Sequence, residues 1–294
     1  MTAPQNIIAL IYDFDETLSP NNMQEDTVFK AYGIDKDLFW KKATALRENG
    51  YERTLAYLRL LMLDEPFKKK PVTRESLKSL ASEIQYYPGI PQYFSYVEKF
   101  MRGIPEVKRW NIQLEHYIIS SGMLEILEGT SVYKYFKKVY ACEYEYQKGV
   151  PVFPKLVIND TNKTQFLFRI NKGTLELTED INTHMPEEQR RVPFRNMVYI
   201  GDSETDIPSM TVIQRYGGHA IAVFNPAAPL PPQKTQKIIS EKRADHFAAA
   251  DYRPGSLLLK IIETTLKKIT QTIAYHSSAR MSLNWVLNKE KSKK

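Results

Sequence analysis

Residues 7–18 read IIALIYDFDETL, an apolar run of strand length that ends in two carboxylates, Asp13 and Asp15, with Thr17 two residues further on. A continuous apolar run of this length suits a strand covered on both faces, as in a mostly parallel sheet. Core packing gives no reason for acids at its end. A metal ion and a phosphate could.

The rest of the chain alternates between the two periods. Residues 23–63 turn helical, with Val28, Tyr32, Leu38, Phe39, Leu46, Leu55, Leu58, Leu61 and Met62 at three- and four-residue spacing. Pro66 and Pro71 interrupt this pattern around a basic loop, and a helix over about 73–85 follows. Tyr86-Tyr87-Pro88-Gly89 signals a turn. A helix over 91–102 precedes a second strand, 116–119, with Ser120-Ser121-Gly122 at its end. Residues 123–137 read as helix, and 137–142 as a third strand. Gly149, Pro151 and Pro154 among aromatics suggest a hairpin flap over about 143–160. Residues 163–171 are helical, 178–192 are polar and loop-like, and 197–200 form a fourth strand that ends at Gly201-Asp202. A fifth strand, 220–224, and an amphipathic helix, 255–275, complete the pattern.

Strands alternating with helices indicate an α/β fold with a mostly parallel, Rossmannoid sheet. The helical block 20–86 falls between the first two core strands and reads as an inserted cap. The core then comprises 1–19 and 87–294. A chain of 294 residues with 43% hydrophobic content can bury one large core and a smaller one.

Composition narrows the function classes. No stretch reaches 18 consecutive apolar residues, so a membrane span is not expected. The start, MTAPQN, lacks the features of a secretory signal, and the chain reads as cytoplasmic. One cysteine, Cys142, permits no intramolecular disulfide. The net charge is +7, but the basic clusters are short: Lys68 to Lys70, Lys137-Lys138, and the tail Lys289 to Lys294. These read as solvated loops and a frayed end, and no nucleic-acid partner is expected. The five histidines show no metal-ligand spacing and read as structural.

In a parallel α/β sheet, ligands sit beyond the carboxyl ends of the strands. Three strands end there in polar groups: Asp13 and Asp15, Ser120, and Asp202 with Asp206 close behind. Aspartates with one hydroxyl read as an oxygen-ligand site for a hard cation, and Mg²⁺ bound together with a phosphate is expected there.

These motifs resemble those of the haloacid dehalogenase (HAD) superfamily. Asp13-x-Asp15-x-Thr17 matches its first motif, Ser120 its second, and YIGDSETD, with Asp202 and Asp206, its fourth. The third motif is a lysine opening a helix; Lys163 fits best, with Lys172 and Lys155 behind it. The resemblance implies an aspartyl-phosphate on Asp13, with Asp15 as general acid and then base. It implies phosphate contacts from Thr17 and Ser120, with Gly122 beside them and Ser121 as substitute if the register shifts by one. Lys163 would neutralise developing charge. Mg²⁺ would be held by Asp202, Asp13 and the Asp15 backbone carbonyl, and Asp206 would support that shell. An acid at position 15 distinguishes phosphatases and phosphomutases from dehalogenases in the family.

The resemblance therefore implies a Mg²⁺-dependent phosphatase acting on a small phosphorylated metabolite. A phosphomutase on the same scaffold is the alternative, and a non-catalytic binding protein is a distant one. The cap and flap arrangement is similar to phosphoserine phosphatases. The serine-binding Glu and Arg of that family have no clear match in Ser19-Pro20-Asn21-Asn22-Met23-Gln24, although Glu25 and Arg53 lie near. Cap candidates for facing the substrate are Asn22, Gln24, Arg47, Tyr51, Arg53 and Tyr57.

Overall fold

The computed structural model describes residues 3–228 and 233–291. Seven strands form one sheet: β1 (Ile7–Tyr12), β2 (Gln113–Met123), β3 (Phe136–Gln147), β4 (Val150–Leu156), β5 (Met197–Gly201), β6 (His219–Phe224) and β7 (His246–Ala249). Their order is β4-β3-β2-β1-β5-β6-β7. All neighbours are parallel except β3 and β4, which form the antiparallel hairpin expected over 143–160.

β1 lies at the centre, and every one of its residues is buried. That burial explains its uninterrupted apolar sequence: both faces are covered. Tyr12 stands opposite Ile118 of β2 and Ile200 of β5. The register therefore brings Asp13, Ser120 and Asp202 to one rim. The Asp13 amide extends the ladder by donating to the Ile200 carbonyl at 2.9 Å. Strand order reverses about β1, the position where open α/β sheets take ligands.

Ahead of the helix Gln92–Arg102, which leads to β2, the chain between β1 and β2 is helical, with Lys36–Glu48, Arg53–Leu63 and Arg74–Leu80 as its longest helices. Phe29, Phe39, Leu58, Leu61 and Phe67 are buried among them. This segment ties to the sheet through two hydroxyls. Tyr57 donates to the Ser121 carbonyl (2.6 Å), and Tyr144 of β3 donates to the Leu58 carbonyl (2.6 Å).

Several sequence expectations need correction. The basic loop after residue 63 contains a short helix, Glu65–Lys69, because Pro66 falls in its first turn, where a missing N–H costs nothing. The helix expected over 123–137 stops at Gly129; a 3₁₀ turn follows, and β3 starts at Phe136. β2 is longer than 116–119 and carries Ser120 to Gly122 within it, across a register shift between Ile119 and Met123. β7 and the helix Gln233–Ser240 were not anticipated; four residues are too few to display a period. The last helix runs from Leu257 to Lys291 rather than ending near 275. Lys289 and Lys291 thus lie on a helical backbone, and residues 292–294 fall outside the described residues. Among the described residues, no helix is long and apolar enough to cross a membrane.

Candidate functional site

The centre of the site is an ion-pair bridge. Lys163 opens the helix Lys163–Lys172, and its side chain is fully buried. Its ammonium donates to Asp13 Oδ2 at 2.7 Å and to Asp206 Oδ1 at 2.8 Å. Lys172 instead donates to the Ile181 and Thr183 carbonyls, and Lys155 pairs with Glu143 on the hairpin. Neither is brought to the aspartates.

Asp206 is held on all sides. Oδ1 also accepts from the Tyr199 hydroxyl (2.7 Å), and Oδ2 accepts from the amides of Asp202 (3.1 Å) and Ser203 (3.3 Å). A Cβ at Gly201 would overlap this carboxylate, so the strand end needs glycine there. Burial alone would raise the Asp206 pKa, but Lys163 and Tyr199 outweigh it and hold the group below its ordinary value. Asp13 is pushed up to about 6, by burial first and then by the Asp206 charge, against the pull of Lys163.

Asp13, Asp202 and Asp206 each offer an oxygen, all within 4.8 Å of one another. An all-oxygen, buried set of this kind fits a hard divalent cation. Charge supports the same fit: four aspartates, counting Asp15, gather around a single lysine. Asp15 stands outside the three-oxygen cluster, and its Oδ1 accepts from the Met23 amide at 2.9 Å. Burial, then the Asp13 charge, raises its pKa well above the usual carboxylate range.

Thr17, expected against a phosphate, is fully buried and does not line the cavity in front of the aspartates. Its hydroxyl faces Asp202 Oδ1 at 3.4 Å, and its carbonyl accepts from the Tyr252 hydroxyl (2.8 Å). Ser120, Ser121 and Gly122 do line the cavity. Ser120 Oγ accepts from the Gly122 amide (3.0 Å), whereas Ser121 Oγ is buried with no protein partner. An unsatisfied buried hydroxyl is costly unless something else meets it.

The cavity measures about 470 Å³. Its far wall comes from the helical segment: Asn22, Gln24, Arg47, Arg53 and Tyr57 all contribute, as expected. Tyr51 does not; it lies outside, with the Arg59 guanidinium 5.5 Å above its ring. Glu25, noted in the sequence only as lying near, also lines the cavity; sequence reasoning missed Trp40, whose indole N–H donates to Glu25 Oε1 at 2.8 Å. A signal existed: Trp40, Ala43, Thr44 and Arg47 share one helical face by spacing, and all four line the cavity.

No protein-family model matches the chain. It is 28% identical over 285 residues to an uncharacterized protein of Borreliella burgdorferi, covering 88% of this chain and 96% of that one. It is similar in fold to a HAD family hydrolase from Salmonella enterica serovar Typhi, with TM-score 0.54, 14% identity, and coverage of 83% of this chain and 67% of that one. It is also similar to a substrate-bound phosphoserine phosphatase, with TM-score 0.53, 16% identity, and coverage of 87% and 97%. A probable phosphoserine phosphatase from Vibrio cholerae gives TM-score 0.56, 13% identity, and coverage of 92% and 68%. The chain has the fold of the HAD hydrolases, in the form that phosphoserine phosphatases share.

Proposed function

We propose that the protein is a Mg²⁺-dependent phosphomonoesterase that hydrolyses a small phosphorylated metabolite through an aspartyl-phosphate on Asp13. The observation that carries this reading is the buried Lys163 bridge between Asp13 and Asp206, whose Asp13 end lines a cavity large enough for a metabolite. A carboxylate approaches an anionic phosphate only when nearby positive charge offsets the repulsion. Lys163 is the protein's own contribution to that charge.

Asp13 attacks phosphorus with one carboxylate oxygen as the bond to the leaving oxygen breaks. Asp15 gives its proton to that oxygen; burial, then the Asp13 charge, raises its pKa and so favours the protonated carboxyl that a general acid needs. Asp15 then takes a proton from water, whose oxygen attacks phosphorus and releases Asp13. Ser121 Oγ, with no protein partner, and Ser120 hold phosphate oxygens. Asp206 positions Lys163, and Thr17 orients Asp202. Asp13, Asp202 and the Asp15 backbone carbonyl would hold Mg²⁺, which would supply electrostatic neutralisation of the phosphoryl group. Residues 20–86 serve as the cap that selects the substrate through Arg47, Arg53, Trp40 and Glu25.

A panel of phosphorylated metabolites, assayed for free phosphate with Mg²⁺ and with EDTA, tests the proposal. The expected result is Mg²⁺-dependent phosphate release from at least one small phosphomonoester. No release from any of them, or transfer of the phosphoryl group to a second substrate instead of water, would overturn it.

A further inference from the structure

Met23 stands where the chain leaves the nucleophile loop and enters the helical segment, and it is fully buried. It makes three polar contacts, two of them to functional elements. Its amide donates to Asp15 Oδ1 at 2.9 Å. Its sulfur accepts from the Met123 amide of β2 at 3.1 Å. Its carbonyl accepts from the Thr27 hydroxyl at 2.6 Å, which fixes the peptide from the next helical turn.

The fit against β2 is tight. A Cβ at Gly122 would overlap the Met23 methyl and come within 2.7 Å of its sulfur. A glycine on the phosphate-facing stretch of β2 thus makes room for this thioether. The same stretch is gripped one residue earlier by the Tyr57 hydroxyl on the Ser121 carbonyl.

A carboxyl group rotates freely about its last torsion unless something holds it. For Asp15, a donor that holds the group is the Met23 amide, which belongs to the helical segment and not to the sheet. The place of that amide depends in turn on the thioether seated on β2. We infer that Met23 is a positioning residue: by packing its side chain on Gly122 and Met123 it holds its own amide against Asp15, so the general acid is aligned only while the helical segment is seated on the phosphate-binding strand. The inference rests on the phosphatase reading and gives that reading a residue outside its motifs.

Leaving-group dependence separates this role from simple stabilisation. An alkoxide leaves poorly without a proton from the general acid, whereas p-nitrophenolate leaves without one. The experiment compares kcat/KM for β-glycerophosphate and p-nitrophenyl phosphate, with Mg²⁺, in the full chain. Met23→Ala is expected to lower the alkyl-to-aryl ratio by about tenfold or more, a part of the roughly 10²–10⁴-fold that a positioned general acid contributes. Met23→Leu, which restores bulk, is expected to recover most of the ratio. In an Asp15→Asn background, Met23→Ala is expected to leave the ratio unchanged, because its effect passes through Asp15. Thr27→Val removes the hydroxyl that fixes Met23 and is expected to lower the ratio in the same direction.

Equal losses on both esters in Met23→Ala would overturn the inference, as would a further fall in ratio in the Asp15→Asn background. If Met23→Ala does not fold, Thr27→Val decides, and an unchanged ratio there overturns the inference. A wild-type protein that releases phosphate from neither ester and from no member of the metabolite panel refutes the phosphatase reading itself, and the inference falls with it.

Discussion

The Lys163 ammonium lies 2.7 Å from Asp13 Oδ2, with both groups withdrawn from solvent. A second carboxylate, Asp206, shares the same ammonium from 2.8 Å. Removing the lysine leaves two buried acids facing each other without a counter-charge. Lys163→Met is therefore expected to destabilise the fold by about 3 kcal/mol, read by urea unfolding. It is also expected to lower kcat on p-nitrophenyl phosphate by about a hundredfold or more. A variant with wild-type kcat would show that the bridge is structural only.

Mg²⁺ is expected to raise the melting temperature of the wild-type protein. A cation at 100 times its dissociation constant adds about 2.7 kcal/mol to the folded state. Asp202→Asn removes one of the clustered oxygens and is expected to abolish most of that shift. Differential scanning calorimetry with Mg²⁺ and with EDTA checks both statements without any substrate. An equal shift in the two proteins would move the cation elsewhere.

Arg47 and Arg53 place positive charge on the wall opposite the aspartates. A substrate with a second anionic group gains from them, and one with a neutral tail does not. The Arg47→Ala, Arg53→Ala double variant is expected to raise KM about tenfold for phosphomonoesters that carry a carboxylate or second phosphate, a loss of about 1.4 kcal/mol. The change for p-nitrophenyl phosphate is expected to be several-fold smaller. Equal changes for both classes would remove the arginines from substrate selection.

The residues that could be read in advance are those whose place is fixed by a strand end. Asp13 and Asp202 follow strands that pair directly, so their meeting is a consequence of register. Lys163 was legible because it opens a regular helix. Thr17 was misplaced because a hydroxyl's partner depends on how the loop turns, and here the turn passes through Glu16 at φ 54°. The role of Asp206 as an acceptor for Lys163, Tyr199 and two amides was hidden, since all four donors are set by tertiary structure or by the turn itself. Nothing in the chain signals that the Met23 amide meets an acid eight residues back. β7 was missed for want of length, and the last helix was cut short because its apolar face fades into exposed Tyr275, Met281 and Leu283.

His116 offers a test of the core beneath the site. Its Nδ1 lies 3.0 Å from the Tyr12 hydroxyl, and burial lowers its pKa to about 3. An unfolded chain binds a proton at this histidine below about pH 6.5, and the folded protein does not until about pH 3. The contribution is therefore complete above pH 6.5 and is lost as pH falls toward 3, by up to about 1.4 kcal/mol per pH unit. His116→Phe is expected to flatten the dependence of urea stability on pH between 6.5 and 5 by that slope. An unchanged slope would mean the imidazole is protonated in the fold.

Asp13 bears the central claim, and Asp13→Asn tests it most directly. The substitution keeps size and shape and removes the attacking carboxylate. The measurement is kcat on p-nitrophenyl phosphate with Mg²⁺, beside a circular dichroism melt of the same sample. A fall of about a thousandfold or more in a protein that still melts cooperatively is the expected result. Activity within tenfold of wild type in the folded variant would contradict a nucleophilic aspartate at this position.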